Sequence, residues 1–290
     1  MSRTMDYAHP EALVSTEWLA AHLNDPGLRV LDGTYHLPTV KRDARAEYLV
    51  KHVPGAAFFD IDGIADDATD LPHMIPAPSV FEAEMRKLGL SKGTRVVVYD
   101  VYGFQSAARV WWSLRLFGHD NVALLDGGLP KWLTEGRPVE GGAVVPPPGD
   151  FVAAFRPGMV RSKAQMIANL DTKADQVLDA RAAGRFEGTA PEPRPGLRGG
   201  HIPGSKNLPV GDLIDPATKR LKPAGELAKL YAAAGVDTAK SIATTCGSGV
   251  TACGLAFGLY LLGVEKVAVY DGSWSEWGLP DGPPIVAGPS

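Results

Sequence analysis

The sequence predicts an α/β protein built from two tandem copies of one domain, each a mainly parallel β-sheet with helices on both faces. Three observations carry this. First, short motifs recur in order at nearly one spacing: His52-Val-Pro-Gly55 returns as His201-Ile-Pro-Gly204, Leu31-Asp32 as Leu178-Asp179, and Leu125-Asp-Gly-Gly128 with Trp132 as Tyr270-Asp-Gly-Ser273 with Trp277, offsets of 149, 147 and 145 residues. Ordered matches at a near-constant period mark a duplicated domain. Second, several short apolar runs show no polar alternation, as in strands covered on both faces. Third, these runs alternate with patterns of helical period, and an alternating β and α order implies a parallel sheet.

In the first copy a helix is expected over 15–23, where Ser15 offers an N-cap oxygen to the first free N–H groups. Strands follow over 28–32, 56–61, 95–99 and 122–125, with helices over 79–88 and 106–117 between them. The second copy repeats the plan, with strands over 176–178, 206–209, 241–245 and 266–270 and helices over 162–170, 225–234 and 250–262. The first domain is placed at 1–140 and the second at 158–290. Residues 141–157 between them are rich in Gly and Pro at their start and read as a linker, semi-rigid where the prolines cluster.

Composition narrows the class. The chain has 290 residues, 45% hydrophobic and 21% charged, with a net charge of −4 and no basic block. Nucleic-acid or membrane-surface binding therefore has little electrostatic support. No run of about 18 apolar residues suggests a membrane span, and residues 1–10 lack the charged head and apolar stretch of a secretory leader, so a cytoplasmic protein is expected. The two cysteines, Cys246 and Cys253, match neither a disulfide framework nor a zinc pattern, and no metal or organic cofactor is expected. Cys253 reads as core, two turns into the helix.

The chemistry concentrates at Ile242-Ala-Thr-Thr-Cys246-Gly-Ser-Gly-Val-Thr251, a β-branched run that delivers a cysteine into a Gly/Ser loop ahead of an apolar helical pattern. At a helix N-terminus, unpaired N–H groups and the positive end of the dipole favour a thiolate, the nucleophilic form. Favouring it a hundredfold takes about 2.7 kcal/mol, whereas the dipole supplies about 0.3–1 and at most about 2. No Lys, Arg or His lies in the loop. The remainder falls to loop amides aimed at the sulfur, which Gly247 and Gly249 make sterically feasible. In an α/β sheet this position, beyond a strand's carboxyl end, is where ligands bind. The first copy carries Asp100 at the equivalent place, so only the second is equipped for thiol chemistry.

The loop Cys246-Gly-Ser-Gly-Val-Thr251 resembles the active-site signature of the 3-mercaptopyruvate sulfurtransferases, tandem-domain members of the rhodanese superfamily, at all six positions. The likeness extends over nearly the whole chain, including Gly184-Arg-Phe-Glu-Gly-Thr189 with Pro191-Glu-Pro-Arg194 and His52-Val-Pro-Gly-Ala-Ala-Phe-Phe-Asp-Ile-Asp62. It implies two rhodanese-like domains, the first inactive and closing the cleft of the second. It further implies Cys246 as the residue that carries sulfur as a persulfide, and a substrate site of Arg185, Arg194, Gly247, Gly249, Val250 and Thr251. A proton relay of Ser248, His73 and Asp62 follows from the same resemblance. The donor would be 3-mercaptopyruvate, and the acceptor cyanide, a small thiol or thioredoxin.

The residues themselves support part of this. A carboxylate substrate calls for guanidinium forks. Arg181 and Arg198 compete with Arg185 and Arg194 for that role but fall outside the matched positions. The Gly184–Arg194 stretch reads as a loop. Ser248 could equally satisfy a backbone group, and His52 and His201, each before X-Pro-Gly, show that histidines here also serve turns. A cysteine phosphatase would need arginine six positions after the nucleophile, where Ala252 stands. A thiosulfate-preferring rhodanese carries cations directly after the cysteine, where this chain has Gly247 and Ser248. A protein that only carries a persulfide, without turnover, is the non-enzymatic alternative.

Overall fold

The structure is a computed structural model that describes residues 6–289; the first five residues of the N-terminal stretch weighed above lie outside it. The first domain contains β1 (Leu13–Val14), α1 (Thr16–His22), β2 (Leu28–Asp32), α2 (Ala44–Val50), β3 (Ala57–Phe58), α3 (Pro78–Lys87), β4 (Arg95–Tyr99), α4 (Ala107–Leu116), β5 (Val122–Leu125) and α5 (Gly128–Thr134). The second contains β6 (Val160–Arg161), α6 (Lys163–Thr172), β7 (Asp175–Asp179), α7 (Ala183–Glu187), β8 (Lys206–Asn207), α8 (Ala224–Ala233), β9 (Ser241–Thr245), α9 (Ala252–Leu261), β10 (Val267–Tyr270) and α10 (Ser273–Trp277). The two sheets have the same order, β1-β5-β4-β2-β3 and β6-β10-β9-β7-β8, and every pairing is parallel.

The repeat holds at the level of single hydrogen bonds. Ser15 Oγ accepts from Trp18 N, and Ser162 forms a capping box with Gln165, so both copies start their first helix with the same cap. His52 and His201 are buried; each hydrogen-bonds a backbone carbonyl through Nδ1, of Tyr48 at 2.8 Å and of Phe186 at 2.9 Å, and each stacks on that residue's ring. These histidines fix turns.

Several elements differ from expectation. The two-residue strands β1 and β6 and the helices α2, α5, α7 and α10 were not foreseen, and the stretch read as a loop around Arg185 contains α7. Helix α9 begins only at Ala252, after a turn, so Cys253 sits in its first turn and not two turns in. The segment 141–157 runs along the first domain. Gly149 N donates to Arg86 O, Phe151 N to Leu90 O and Ala154 N to Phe117 O, and the Phe151 ring is buried beside Phe81.

One apolar core spans both domains. It joins Phe104 and Trp111 of the first to Phe257 of the second, with Trp111 and Phe257 edge to face at 4.9 Å between centroids. This packing of α4 on α9 sets the two sheets' carboxyl ends against a common cleft. Among the described residues no helix is long and apolar enough to cross a membrane, and no three His, Cys, Asp or Glu side chains gather in a metal-binding cluster.

Candidate active site

Strand β9 ends at Thr245 and Cys246 opens the turn that leads to α9. The first turn of α10 holds this loop by its carbonyls. Ser273 Oγ accepts from Cys246 N at 3.1 Å, Trp274 N donates to Cys246 O at 3.0 Å, and Ser275 donates to Gly247 O from both its N–H, at 2.8 Å, and its hydroxyl, at 2.7 Å. By contrast, the N–H groups of Gly247 through Ala252 donate to no acceptor among the described residues. Consecutive free amides are a row of unclaimed donors, open to an anionic group of a bound ligand.

The first domain shows the same turn already filled. The Asp100 carboxylate, fully buried, accepts from Tyr102 N at 2.8 Å, Ser106 N at 2.7 Å and Ala107 N at 2.8 Å, and from Ser106 Oγ at 3.1 Å. In one copy a built-in anion satisfies the amides. In the other they remain open beside a thiol.

Cys246 lies at a cleft of about 220 Å³ formed by both domains. Gly247, Ser248, Val250, Thr251, Arg185 and Arg194 come from the second, and Tyr35, Leu37, Val40, Tyr102, Gln105 and Ser106 from the first. A larger groove of about 730 Å³ beside α2 contains no cysteine. Gly249 does not line the cleft, contrary to its place in the expected substrate site. Its φ of +79° turns its carbonyl inward, where it accepts from Arg109 Nη1 at 3.3 Å and from the Cys253 thiol at 3.2 Å. Burial pushes the Cys253 thiol well above its usual range. It remains a neutral core group.

The arginines sort by their partners. Arg181, 2% exposed, forks the Asp179 carboxylate, bonds Glu192 and lies over the Trp274 ring, while Arg198 serves the Trp277 and Pro283 carbonyls. Both are structural. Arg185 is anchored by the buried Glu192 carboxylate at 2.5 Å, with its guanidinium so close over Gly247 that a Cβ there would meet Nη2 at 2.9 Å. Arg194 reaches His73 Nε2 at 3.1 Å and Tyr35 Oη at 3.4 Å.

Asp62 and His73 do come together. Asp62 Oδ1 stands 2.6 Å from His73 Nδ1, though off the line of a hydrogen bond, and the His73 ring meets Tyr35 edge to face. Burial lowers the His73 proton affinity below its ordinary value, with Arg109 and Arg194 adding to the effect and Asp62 opposing it. The side chain is therefore neutral, and its Nε2 accepts from Arg194. No hydrogen bond links Ser248 to His73 or Asp62, so the expected three-member relay is not assembled in this arrangement.

Sequence reasoning missed Tyr35, Glu192, Arg109 and Asp271. The repeat could have flagged two of them: Tyr35 follows the duplicated Leu-Asp at a strand's carboxyl end, and Asp271 belongs to the duplicated Asp-Gly. Nothing in the pattern marked Arg109, whose hydrogen-bond partners His73, Gly249 and Asp271 all lie outside its own helix.

Fold and site together define a tandem α/β protein in which one domain presents a cysteine loop and its copy closes the cleft. The chain belongs to the rhodanese family: the Rhodanese-like domain matches residues 15–135 and 162–279. It is similar to 3-mercaptopyruvate sulfurtransferase of Rattus norvegicus, 44% identical over 272 residues that cover 92% of this chain and 91% of the relative. Thiosulfate sulfurtransferase of Bos taurus is likewise 44% identical over 273 residues, covering 92% and 91%. Among solved structures, the crystal structure of SseA from Escherichia coli, described as a 3-mercaptopyruvate sulfotransferase, aligns with a TM-score of 0.83 and 40% identity, covering 91% of this chain and 99% of that one.

Proposed function

We propose that the protein is a sulfurtransferase that takes sulfur from 3-mercaptopyruvate onto Cys246 and passes it to a thiophilic acceptor. The Cys246 thiolate attacks the donor sulfur, the donor C–S bond breaks with its electron pair passing to carbon, and pyruvate leaves as its enolate. The enolate carbon then takes a proton, and Cys246 is left as a persulfide. An acceptor thiolate or cyanide attacks the outer sulfur and regenerates the thiolate. A dithiol such as thioredoxin suits this second step, because its second thiol can release the sulfur. The cycle is ping-pong covalent catalysis.

The donor assignment rests on one observation above the others: the loop around Cys246 offers amides and no cation, while two guanidiniums, Arg185 and Arg194, stand across a small cleft. That charge pattern fits a monocarboxylate with an adjacent carbonyl. Thiosulfate has no carbonyl for the second guanidinium to hold, and the loop itself adds no cation at Gly247 or Ser248. Overall identity does not decide the donor, since relatives named for either activity are equally similar. In this reading Arg185 and Arg194 hold the donor's carboxylate and carbonyl. Ser248, which lines the cleft, passes its hydroxyl proton to the developing enolate and is reprotonated by the acidic outer S–H of the nascent persulfide, and the Asp62–His73 pair aims Arg194.

The test is steady-state turnover of both donors on one preparation. The expected result is a preference for 3-mercaptopyruvate of at least about tenfold in kcat/KM, about 1.4 kcal/mol of transition-state discrimination. Equal efficiency with thiosulfate removes the loop as the specificity element, and absence of pyruvate release removes the enzyme reading.

A further inference from the structure

The two domains clasp each other through a pair of related latches. Asp271, after β10, accepts from Ile75 N at 2.8 Å and pairs with Arg109 Nη1 at 2.6 Å. Asp126, its repeat partner after β5, accepts from Leu221 N at 2.9 Å and pairs with Arg220 Nε at 2.7 Å. The crossing turns correspond as well: His73 and Lys219, each two residues before the donating N–H, have φ of +60° and +59°, and the glycines at matching places in the two strand-to-helix loops, Gly249 and Gly103, have φ of +79° and +110°.

The symmetry fails at the arginine. Arg220 belongs to the crossing turn itself, and its side chain is 56% exposed. Arg109 comes from α4, its side chain is 4% exposed, and the repeat places Leu255 at the matching position of α9. One guanidinium thus bonds the Asp271 carboxylate, the Gly249 carbonyl of the cysteine loop and the His73 carbonyl. A non-glycine residue at positive φ is strained and persists only where its surroundings hold it. At His73 the Arg109 bond is part of that hold, and the His73 ring in turn meets Arg194.

We propose that Arg109, clamped on Asp271, is a positioning residue for sulfur transfer that fixes the Cys246 loop through Gly249 and aims Arg194 through the His73 turn. The inference rests on the sulfur-transfer reading above and adds to it a device built only on the working side of the duplicated fold. Its function is to make the Cys246 loop and Arg194 follow one buried group. The Arg220 side chain bonds Asp126 and no residue that lines the cleft, and serves docking alone.

The experiment compares kcat and KM for pyruvate release from 3-mercaptopyruvate in Arg109→Met, Arg109→Lys, Asp271→Asn and Arg220→Met chains, each checked for native circular dichroism. Arg109→Met is expected to lose at least about tenfold in kcat/KM, with kcat falling and KM rising, and Arg109→Lys to recover part of it. Arg220→Met is expected within about twofold of the unmodified chain. Combined with Arg194→Met, the Arg109→Met loss should be less than additive, because the arginine it aims is gone. Asp271→Asn, which keeps the side-chain volume, carries the test if Arg109→Met does not fold. Unchanged kinetics in the folded Arg109 or Asp271 variants, an equal loss in Arg220→Met, or full additivity with Arg194→Met each overturns the proposal. If the unmodified chain releases no pyruvate, the sulfur-transfer reading fails instead. Cys246 alkylation by iodoacetamide, expected to slow at least about fivefold in Arg109→Met, then still tests the hold on the loop.

Discussion

Cys246 and Cys253 lie on one loop-helix unit in opposite settings. The first faces a cleft among unclaimed amides, and the second is sealed in the core with its thiol donated to Gly249 O. Cys246→Ser is therefore expected to abolish sulfur transfer and Cys253→Ser to keep most of it. Intact-protein mass spectrometry after donor treatment should show one added sulfur that disappears only in the Cys246 variant. His73 gives a second expectation at this scale, with a sign fixed by its lowered proton affinity. The unfolded chain takes up the proton near the ordinary value of about 6.5 while the folded chain does not, so the stability held by neutral His73 is full above that pH and is lost as pH falls below it. Burial lowers His119 in the same direction, so the His73 share is read as the difference from a His73→Gln chain. Protonation of His73 also places a cation 3.1 Å from Arg194, beside Asp62, Arg109 and Tyr35. KM for 3-mercaptopyruvate should rise at the still lower pH where the folded chain itself takes up that proton, and His73→Gln should flatten the rise. An identical limb in both chains would remove His73 from the donor site.

At the scale of elements, the loop between β9 and α9 uses its glycines for two different reasons. Gly249 adopts φ +79°, and a Cβ there would meet the Asp271 backbone oxygen at 2.6 Å, an atom that cannot move aside. Gly249→Ala should cost at least about 1–2 kcal/mol of stability, with loss of turnover, measured by denaturant unfolding. Gly247 has no such strain; its neighbour is the flexible end of Arg185. Gly247→Ala should leave stability nearly unchanged but displace Arg185, raising KM for 3-mercaptopyruvate more than it lowers kcat. The elements themselves were unequally legible. The five-residue strands β2, β4 and β9 and the ten-residue helices announce themselves by composition and period. Strands β1 and β6 are too short to show any period, and five-residue helices such as α7 and α10 owe their existence to tertiary contacts. The cysteine, its loop and both cleft arginines were readable because each belongs to a local motif. Arg109 was not, because its bonded partners are Asp271 and Gly249 of the other copy and His73 on a turn 36 residues before it, where no local spacing records them, and Tyr35 and Asp271 carried only the mark of the repeat beside them.

For the whole molecule, the two copies of the domain share one packed core. The cleft takes residues from both copies, the segment after α5 is pinned to the first domain by backbone bonds, and the core passes without a break from Phe104 and Trp111 to Phe257. Domains joined by a small polar contact unfold separately, whereas a shared apolar core couples them. Calorimetry is therefore expected to give a single transition whose calorimetric and van't Hoff enthalpies agree. Phe257→Ala probes the coupling directly, since this ring sits between the two domains against Trp111 and Phe104. Truncating a buried phenylalanine costs about 3–5 kcal/mol. If the core is shared, the whole transition moves to lower temperature and activity is lost in step with it, because the first domain's wall of the cleft leaves with the interface. Two resolved transitions in the unmodified chain, or a Phe257→Ala effect confined to one half of the unfolding heat, would mean that the domains fold independently and that cleft closure is a docking event between separate bodies.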